Sequence, residues 1–260
     1  MVFLVVAVIV PLLYMLRYSF SSYNLVVPGL DGQFVGLSNF KRLISDPAVW
    51  QRMKITLWFS FLEVSGQVVL GLLIAMLLNS EFRGKSTILS IILIPSMLSP
   101  ITVALIWRFL LLPNYGLLLY ILSRFGIVEF ATGVFSNATS AFYTLVLIDL
   151  WQWTPFVMLI LLAGLTSLPE EPFEAAKVDG AGGLQVFKYM TIPLLKPVLV
   201  LAILFRVITV LKTFDTVYLL TGGGPAGATE ILNMYAYRIN FIHWDFGYGS
   251  AIVLLVVLIS

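Results

Sequence analysis

Apolar runs of about 20 residues recur along this chain, and a helix of that length crosses a hydrocarbon layer of about 30 Å at a rise of about 1.5 Å per residue. Backbone inside lipid must satisfy its own polar groups, which leaves helices as the natural fold for such runs. Charge is scarce: 11% of the 260 residues are charged, 60% are hydrophobic and the mean hydropathy is +1.01. Soluble domains carry about 25% charged residues, and one soluble core would not call for repeated runs of this length. The sequence therefore predicts an all-α integral membrane protein, a single transmembrane domain over residues 1–260. With no cysteine, disulfides, thiolate metal sites and cysteine nucleophiles are excluded. The single histidine, His243, excludes a multi-histidine metal site in one copy. A net charge of +2 singles out no partner, and nucleic acid is not expected.

Six apolar segments are legible: Val2 to Leu16, Ile55 to Leu78, Thr87 to Leu112, Ala141 to Leu165, Val198 to Leu220 and Gly247 to Ser260. The last would reach only about 21 Å as a helix, and the first has no charged flank. We expect a chain trimmed at both ends, with the sixth transmembrane helix truncated. The first segment lacks the basic start and small-residue cleavage site of a signal peptide, so a retained helix is expected. Arginine and lysine in the connections are split five (Arg83, Lys85, Lys177, Lys188, Lys196) against six (Lys41, Arg42, Arg52, Lys54, Arg124, Arg238). The first group occupies much shorter loops and is about twice as dense, which places those loops and the N-terminus in the cytoplasm.

Between the fourth and fifth segments lies a long polar insert, residues 167–197. Pro169, Glu170, Glu171 and Pro172 suit a helix start, with carboxylates at the positive end of its dipole. Phe173, Ala176 and Gly180 follow at helical spacing and predict a narrow small-residue face that a partner's groove can approach. Residues Asp179 to Gly183 break the helix. A second short helix is expected from Leu184 to Met190, ended by Pro193. The result is a cytoplasmic helix-turn-helix between helices 4 and 5. Its first helix carries Glu170, Glu171, Glu174 and Asp179 against Lys177 alone, which disfavours anionic headgroups and favours a protein partner.

The order EAAKVDGAGGLQVFKYMTIP resembles the EAA motif of binding-protein-dependent ABC importer permeases, with Met190 and Ile192 as conservative changes near its end. VGLSNFKRL at Val35 to Leu43, WQWTPFVMLILLAGL at Trp151 to Leu165, FDTVYLLTGGGPAGATE at Phe214 to Glu230 and DFGYGSA at Asp245 to Ala251 resemble further signatures of the carbohydrate branch, of the maltose and glycerol-phosphate type. Thr209 departs from an acidic residue common there, so that position's polar contacts are not carried over. The resemblance implies a permease subunit, not an enzyme, in a bacterial or archaeal inner membrane. It implies a second permease subunit as heterodimer partner, two ATPase subunits and an extracytoplasmic solute-binding protein. Under it, Glu174, Ala175, Ala176, Asp179 and Gly180 form the ATPase-coupling element: Glu174 pairs with a basic residue of the ATPase and Gly180 supplies the turn. ATP and Mg would be bound by the ATPase partners, with no cofactor in this chain.

Polar groups inside apolar segments are costly and need a partner or a function. The second segment has Glu63 and Gln67, the fourth Asp149, Gln152, Trp151 and Trp153, and the fifth Arg206, Lys212 and Asp215. Counted from the outer ends, Asp149 and Lys212 lie about 13 and 12 Å deep, Gln152 and Arg206 about 18 and 20 Å. We expect segments four and five to face each other and line a pathway whose candidates are Asp149, Gln152, Trp153, Arg206, Lys212, Asp215 and Tyr218. For the four charged residues, internal ion pairing is the favoured role. Solute contact and packing are balanced for Gln152, Trp153 and Tyr218. Pro95, Pro100 and Pro155 permit kinks.

Other signals carry little. Gly222, Gly224 and Gly227 spell GxGxxG outside any strand–helix unit, and Gly84-Lys85-Ser86 lacks the first glycine of a P-loop, Asn79 standing there. The loop Thr221 to Glu230 is expected either to touch a solute-binding protein or simply to stop a helix. The rivals are an importer of an anionic solute, such as a glycerol phosphodiester, with Arg206 and Lys212 left unpaired, and a secondary transporter with an ion relay.

Overall fold

The computed structural model describes residues 2–27, 29 and 31–260. In order these form α1 (Val2–Ser19), β1 (Ser21–Tyr23), β2 (Asp31–Phe34), α2 (Ser38–Ser45), α3 (Pro47–Leu78), α4 (Lys85–Met97), α5 (Pro100–Leu110), α6 (Leu117–Arg124), α7 (Ala138–Thr166), α8 (Glu171–Val178), α9 (Gly183–Val186), a π-helical turn (Phe187–Thr191), α10 (Ile192–Leu211), α11 (Asp215–Leu220), α12 (Leu232–Phe241) and α13 (Phe246–Ile259). The strands form one antiparallel hairpin with Ser21 opposite Phe34.

Two capped helices form the spine. In α3, the Asp46 carboxylate accepts the Ala48 N–H at 2.8 Å and Pro47 fills the first turn. In α7, Asn137 accepts the Thr139 N–H at 2.8 Å, and the helix runs unbroken through Pro155. The two lie close because glycines remove side chains at the crossings. A Cβ on Gly71 would meet the Met158 backbone nitrogen at 3.0 Å, and one on Gly66 the Leu150 side chain at 2.7 Å. Across α7 and α10, Gly164 does the same against Leu195 and Val198, each at 2.8 Å. Small residues at crossings are how helices approach where lipid offers no hydrophobic drive.

Among the described residues, three runs are each long and apolar enough to cross a membrane: α3, α7 and the continuous helix Gly183–Leu211. The third apolar segment is not one straight helix. It breaks at Leu98 and Ser99, and α4 and α5 meet at 94°. Pro100 causes this by excluding helical backbone from Ser99, whose ψ is 146° and whose Oγ accepts the Thr102 N–H. Pro100 thus opens a second helix where a kink was expected.

The fifth segment also divides. Helix α10 ends at Leu211, and α11 begins only at Asp215. Asn233 Nδ2 donates to the carbonyls of Leu211 (2.9 Å) and Thr213 (3.2 Å), capping the break from α12. Conversely, Pro193 does not end a short helix. The wider π turn precedes it, so the missing N–H of Pro193 falls where the regular ladder is already interrupted and the helix continues. The helices α1 and α13 are shorter and apolar, and pack on one another.

Candidate functional site

A polar cavity of about 150 Å³ opens where α10 gives way to α11. Its lining includes Asp149, Trp153, Arg206, Lys212 and Asp215, five of the seven pathway residues expected from sequence. Asp149 and Trp153 are carried by α7, one turn apart; Arg206 projects from α10; Lys212 and Asp215 flank the break. Pro100, Thr209, Thr213, Phe214 and Thr216 complete the wall. Pro100 was read only as a kink and Thr209 only as a departure from the family pattern; Thr213, Phe214 and Thr216 join the site only once the fifth segment has broken.

Gln152 and Tyr218 are not part of that wall. Gln152 is fully buried and donates Nε2 to the Leu98 carbonyl at 3.2 Å, so it serves the backbone break. Tyr218 stacks on Phe214 with ring centroids 5.2 Å apart, and stands edge-on to Tyr237.

The charged residues do not all pair as expected. Arg206 is 2% exposed. Its Nε donates to Gln67 Oε1 at 2.6 Å, and its Nη1 donates to Thr209 Oγ1 at 3.0 Å. Nη2 stands 3.7 Å from Asp149 Oδ2, an ion pair too long for a hydrogen bond. The guanidinium also lies over the Trp153 ring, 5.0 Å from its centroid. Neither Lys212 nor Asp215 forms an ion pair with a described residue; Lys212 is exposed and Asp215 opens α11, where the dipole favours a carboxylate. Segments four and five do face each other through Asp149 and Arg206. Yet α3 packs even more broadly on α7 and contributes Glu63 and Gln67 to the same polar centre. Their i, i+4 spacing was the available signal.

At one end of the bundle, α8 projects beside the turn after α3; Asn79, Glu81, Thr166, Glu170, Glu174 and Lys177 border a common cleft. Helix α8 closes in a Schellman motif: Ala181 N–H bonds the Ala176 carbonyl at 2.9 Å, Gly180 N–H bonds Lys177 at 3.2 Å, and Gly180 has φ +73°. Only glycine takes that conformation without strain. The expected small-residue face is divided: Gly180 is exposed, while Ala176 is not. Ala176 is buried and Phe173 is half-buried, the latter on the wall of that cleft. Glu171, Glu174, Ala175, Lys177, Val178 and Asp179 form the outward surface, with Leu184 exposed beyond the turn.

The opposite end is tied by charge. Glu230, 1% exposed, accepts Arg52 Nε at 2.7 Å and Arg238 Nη2 at 2.8 Å. The glycine-rich loop before it is further closed by Thr229, which bonds the Gly224 carbonyl and the Thr221 hydroxyl. This loop is a pinned structure and does more than stop a helix. Nearby, Asp46 Oδ2 accepts the hydroxyls of Tyr248 (2.6 Å) and Tyr235 (3.2 Å). Burial pushes the Asp46 carboxyl up, but hydrogen bonds from Tyr248, the Ala48 N–H and Tyr235, with Arg42 close by, outweigh it and leave it below the ordinary carboxylate value.

With this geometry in place, similarity to known proteins is informative. The model of the family described as "Binding-protein-dependent transport system inner membrane component" matches residues 67–260. The chain is 40% identical over 243 residues to the "Probable ABC transporter permease protein y4oQ" of Sinorhizobium fredii, covering 94% of this chain and 78% of that one. It is 41% identical over 222 residues to the "Trehalose/maltose transport system permease protein MalF" of Thermococcus litoralis, covering 85% and 74%. A crystal structure of a bacterial alginate ABC transporter in complex with an alginate pentasaccharide-bound periplasmic protein shares the fold, with a TM-score of 0.82 at 19% identity over 99% of this chain and 87% of that one.

Proposed function

Since the chain belongs to the family of binding-protein-dependent transport system inner membrane components, a multi-pass membrane family of permease subunits, we propose that it forms half of the solute pathway of an ATP-driven sugar importer. The observation that carries this reading is the cavity at the α10–α11 break. There Trp153, Lys212, Asp215 and Asp149 present an aromatic face, donors and acceptors inside an otherwise apolar bundle. A polyol is recognised by this mixture: carboxylates accept from hydroxyls, ammonium donates to them, and an indole packs on a sugar face. The relative named for trehalose and maltose transport points to the same class.

In this reading residues 1–260 are one transmembrane domain with six spans: α1, α3, the bent pair α4–α5, α7, α9–α10 and α13. The turn after α3 and the α8 knuckle face the cytoplasm, in a bacterial or archaeal inner membrane. Glu174, Ala175, Asp179 and Gly180 dock on an ATPase subunit, with Ala176 anchoring the knuckle from beneath. A second permease completes the pathway, and an extracytoplasmic solute-binding protein delivers the solute, as the periplasmic protein in the alginate transporter structure suggests. ATP and Mg belong to the ATPase partners. Closure of the ATPase pair draws the knuckles together and rocks the spans between two states, each stabilised by its own contacts.

The anionic-solute alternative needs Arg206 and Lys212 free: Arg206 gives Nε and Nη1 to Gln67 and Thr209, which leaves Lys212 as the cation that could serve an anion at this cavity. Family membership removes the secondary-transporter alternative.

The test is binding-protein-dependent uptake by the reconstituted importer. Trp153→Ala lowers sugar uptake at least tenfold with ATPase assembly intact. Gly180→Trp abolishes uptake; a Cβ there meets nothing within 4 Å in this chain, but the φ of +73° strains any side chain, so Gly180→Asn, which tolerates that conformation, serves as the folding control and retains uptake. Full uptake in Trp153→Ala and Gly180→Trp would remove the reading.

A further inference from the structure

Between α3 and α10 lies an open apolar groove of about 530 Å³, separate from the polar cavity. Leu57, Phe61, Ser65 and Val69 of α3 line it at every fourth residue, together with Ile203 and Val207 of α10. Leu57, Phe61 and Val69 are each more than half exposed. The hydroxyls of the wall are not offered to an occupant. Ser65 donates to the carbonyls of Phe61 (2.6 Å) and Leu62 (3.3 Å) in its own helix, and Ser60 Oγ is buried. From Leu57 to Val69 the helical rise covers about 18 Å, slightly more than half of a hydrocarbon layer of about 30 Å. The groove has the length and the chemistry of one acyl chain.

Charge marks one end of it. Lys54 stands three residues before Leu57, on the same face of α3. It is exposed and forms no ion pair with a described residue, whereas the neighbouring Arg52 is held by Glu230. Trp58 is half exposed and stacks on Phe61 with ring centroids 5.6 Å apart. An indole and an ammonium at the start of an apolar run set the level of the lipid headgroups.

We propose that this groove is a binding site for an anionic phospholipid: one acyl chain lies along α3 and α10, and the phosphate sits on the Lys54 ammonium. An apolar helix of a second subunit would also fill the groove, but it would leave Lys54 without a counter-charge. One anionic lipid supplies chain and charge together, and a lysine near the membrane surface favours such a headgroup. The inference needs only that the chain spans a membrane, and it stands apart from the sugar pathway.

The test uses the assembled importer in phosphatidylcholine vesicles that contain a trace of phosphatidylglycerol or phosphatidylcholine with a photoreactive diazirine in one acyl chain. In wild type, phosphatidylglycerol labels residues 57–69 and 203–207 about fivefold more than phosphatidylcholine does, the ratio that one lysine near the surface supplies. Lys54→Gln, at an exposed position, brings the two lipids level. Ser65→Leu fills the groove and lowers labelling of both segments by either lipid. Gel filtration confirms assembly of each variant. Equal labelling by the two lipids in wild type overturns the proposal, as does a preference that survives Lys54→Gln or labelling unchanged in Ser65→Leu. Segments that stay unlabelled while other membrane-facing helices react would mean that a helix of the second permease fills the groove, which also overturns it. Sugar uptake by the same vesicles reports separately on the importer reading.

Discussion

Arg206 Nε and Gln67 Oε1 meet at 2.6 Å, joining α10 to α3 in the middle of the bundle, where both residues are buried. A hydrogen bond to a charged group contributes about 1.5–3 kcal/mol, more when losing it strands the charge. Gln67→Leu keeps the volume and removes the acceptor. Its expected cost is about 2–3 kcal/mol, read as a lower melting temperature of the purified protein. Thr209→Val, which removes a second acceptor at a site open to the cavity, costs less. Equal melting temperatures for Gln67→Leu and wild type would show that this bond contributes nothing.

The contact of α7 with α10 is limited by one atom. A Cβ on Gly164 would meet Val198 Cγ1 at 2.8 Å and Cγ2 at 3.0 Å, and Leu195 Cδ1 at 2.8 Å. The Leu195 methyl can swing away, but the β-branched Val198 is stiff about χ1. Gly164→Ala therefore overpacks the crossing at a cost of about 1–3 kcal/mol. Val198→Ala in the same chain removes the obstruction, so the double variant melts above Gly164→Ala alone. A double variant less stable than Gly164→Ala contradicts this geometry.

How much of this was legible beforehand depended on whether a feature is local. The apolar runs fixed the helices, and the Asp-Pro start of α3 and the Gly180 turn follow from nearby residues. The break at Ser99 was hidden because a proline inside an apolar run signals either a kink or a new helix; the choice falls to Gln152, which caps the Leu98 carbonyl from fifty-four positions away. The π turn before Pro193 left no mark in composition. Ala176 was expected to face a partner because spacing defines a face but not its direction, and in the fold it is buried. The polar centre was half visible: Asp149 and Arg206 stood out as charges, while the part played by Glu63 and Gln67 depended on α3 packing across α7.

Acid should loosen one end of the molecule through Asp46. Its carboxyl lies below the ordinary 3.8 because the bonds from Tyr248, Ala48 and Tyr235 prevail over burial. A carboxyl lowered on folding contributes stability that is fully present above its unfolded value and is lost as pH falls through its folded value. In wild type, melting temperature should fall as pH drops below about 4. Asp46→Asn, without the charge, should be less stable than wild type at neutral pH and should flatten that acid slope. An acid slope of equal steepness in the variant would assign it to other carboxylates.

Glu230 is the stronger tie at the same end, since one oxygen receives both Arg52 and Arg238. The two arginines differ in setting: the Arg52 side chain is 14% exposed and that of Arg238 is 35% exposed. Screening by water weakens the more open pair, so Arg52→Met should destabilise more than Arg238→Met. Glu230→Gln keeps the shape but faces two guanidinium groups with a neutral amide, and should cost more than either, about 3–5 kcal/mol. A double-mutant cycle on Glu230 and Arg52 isolates their coupling from the loss of side-chain packing. The local reading is proteolysis: Glu230→Gln should expose the 221–230 loop to cleavage that wild type resists, because the carboxylate links that loop to α3 and α12. Resistance unchanged in the variant would mean that Thr229 and the loop's own turns hold it without the ion pairs.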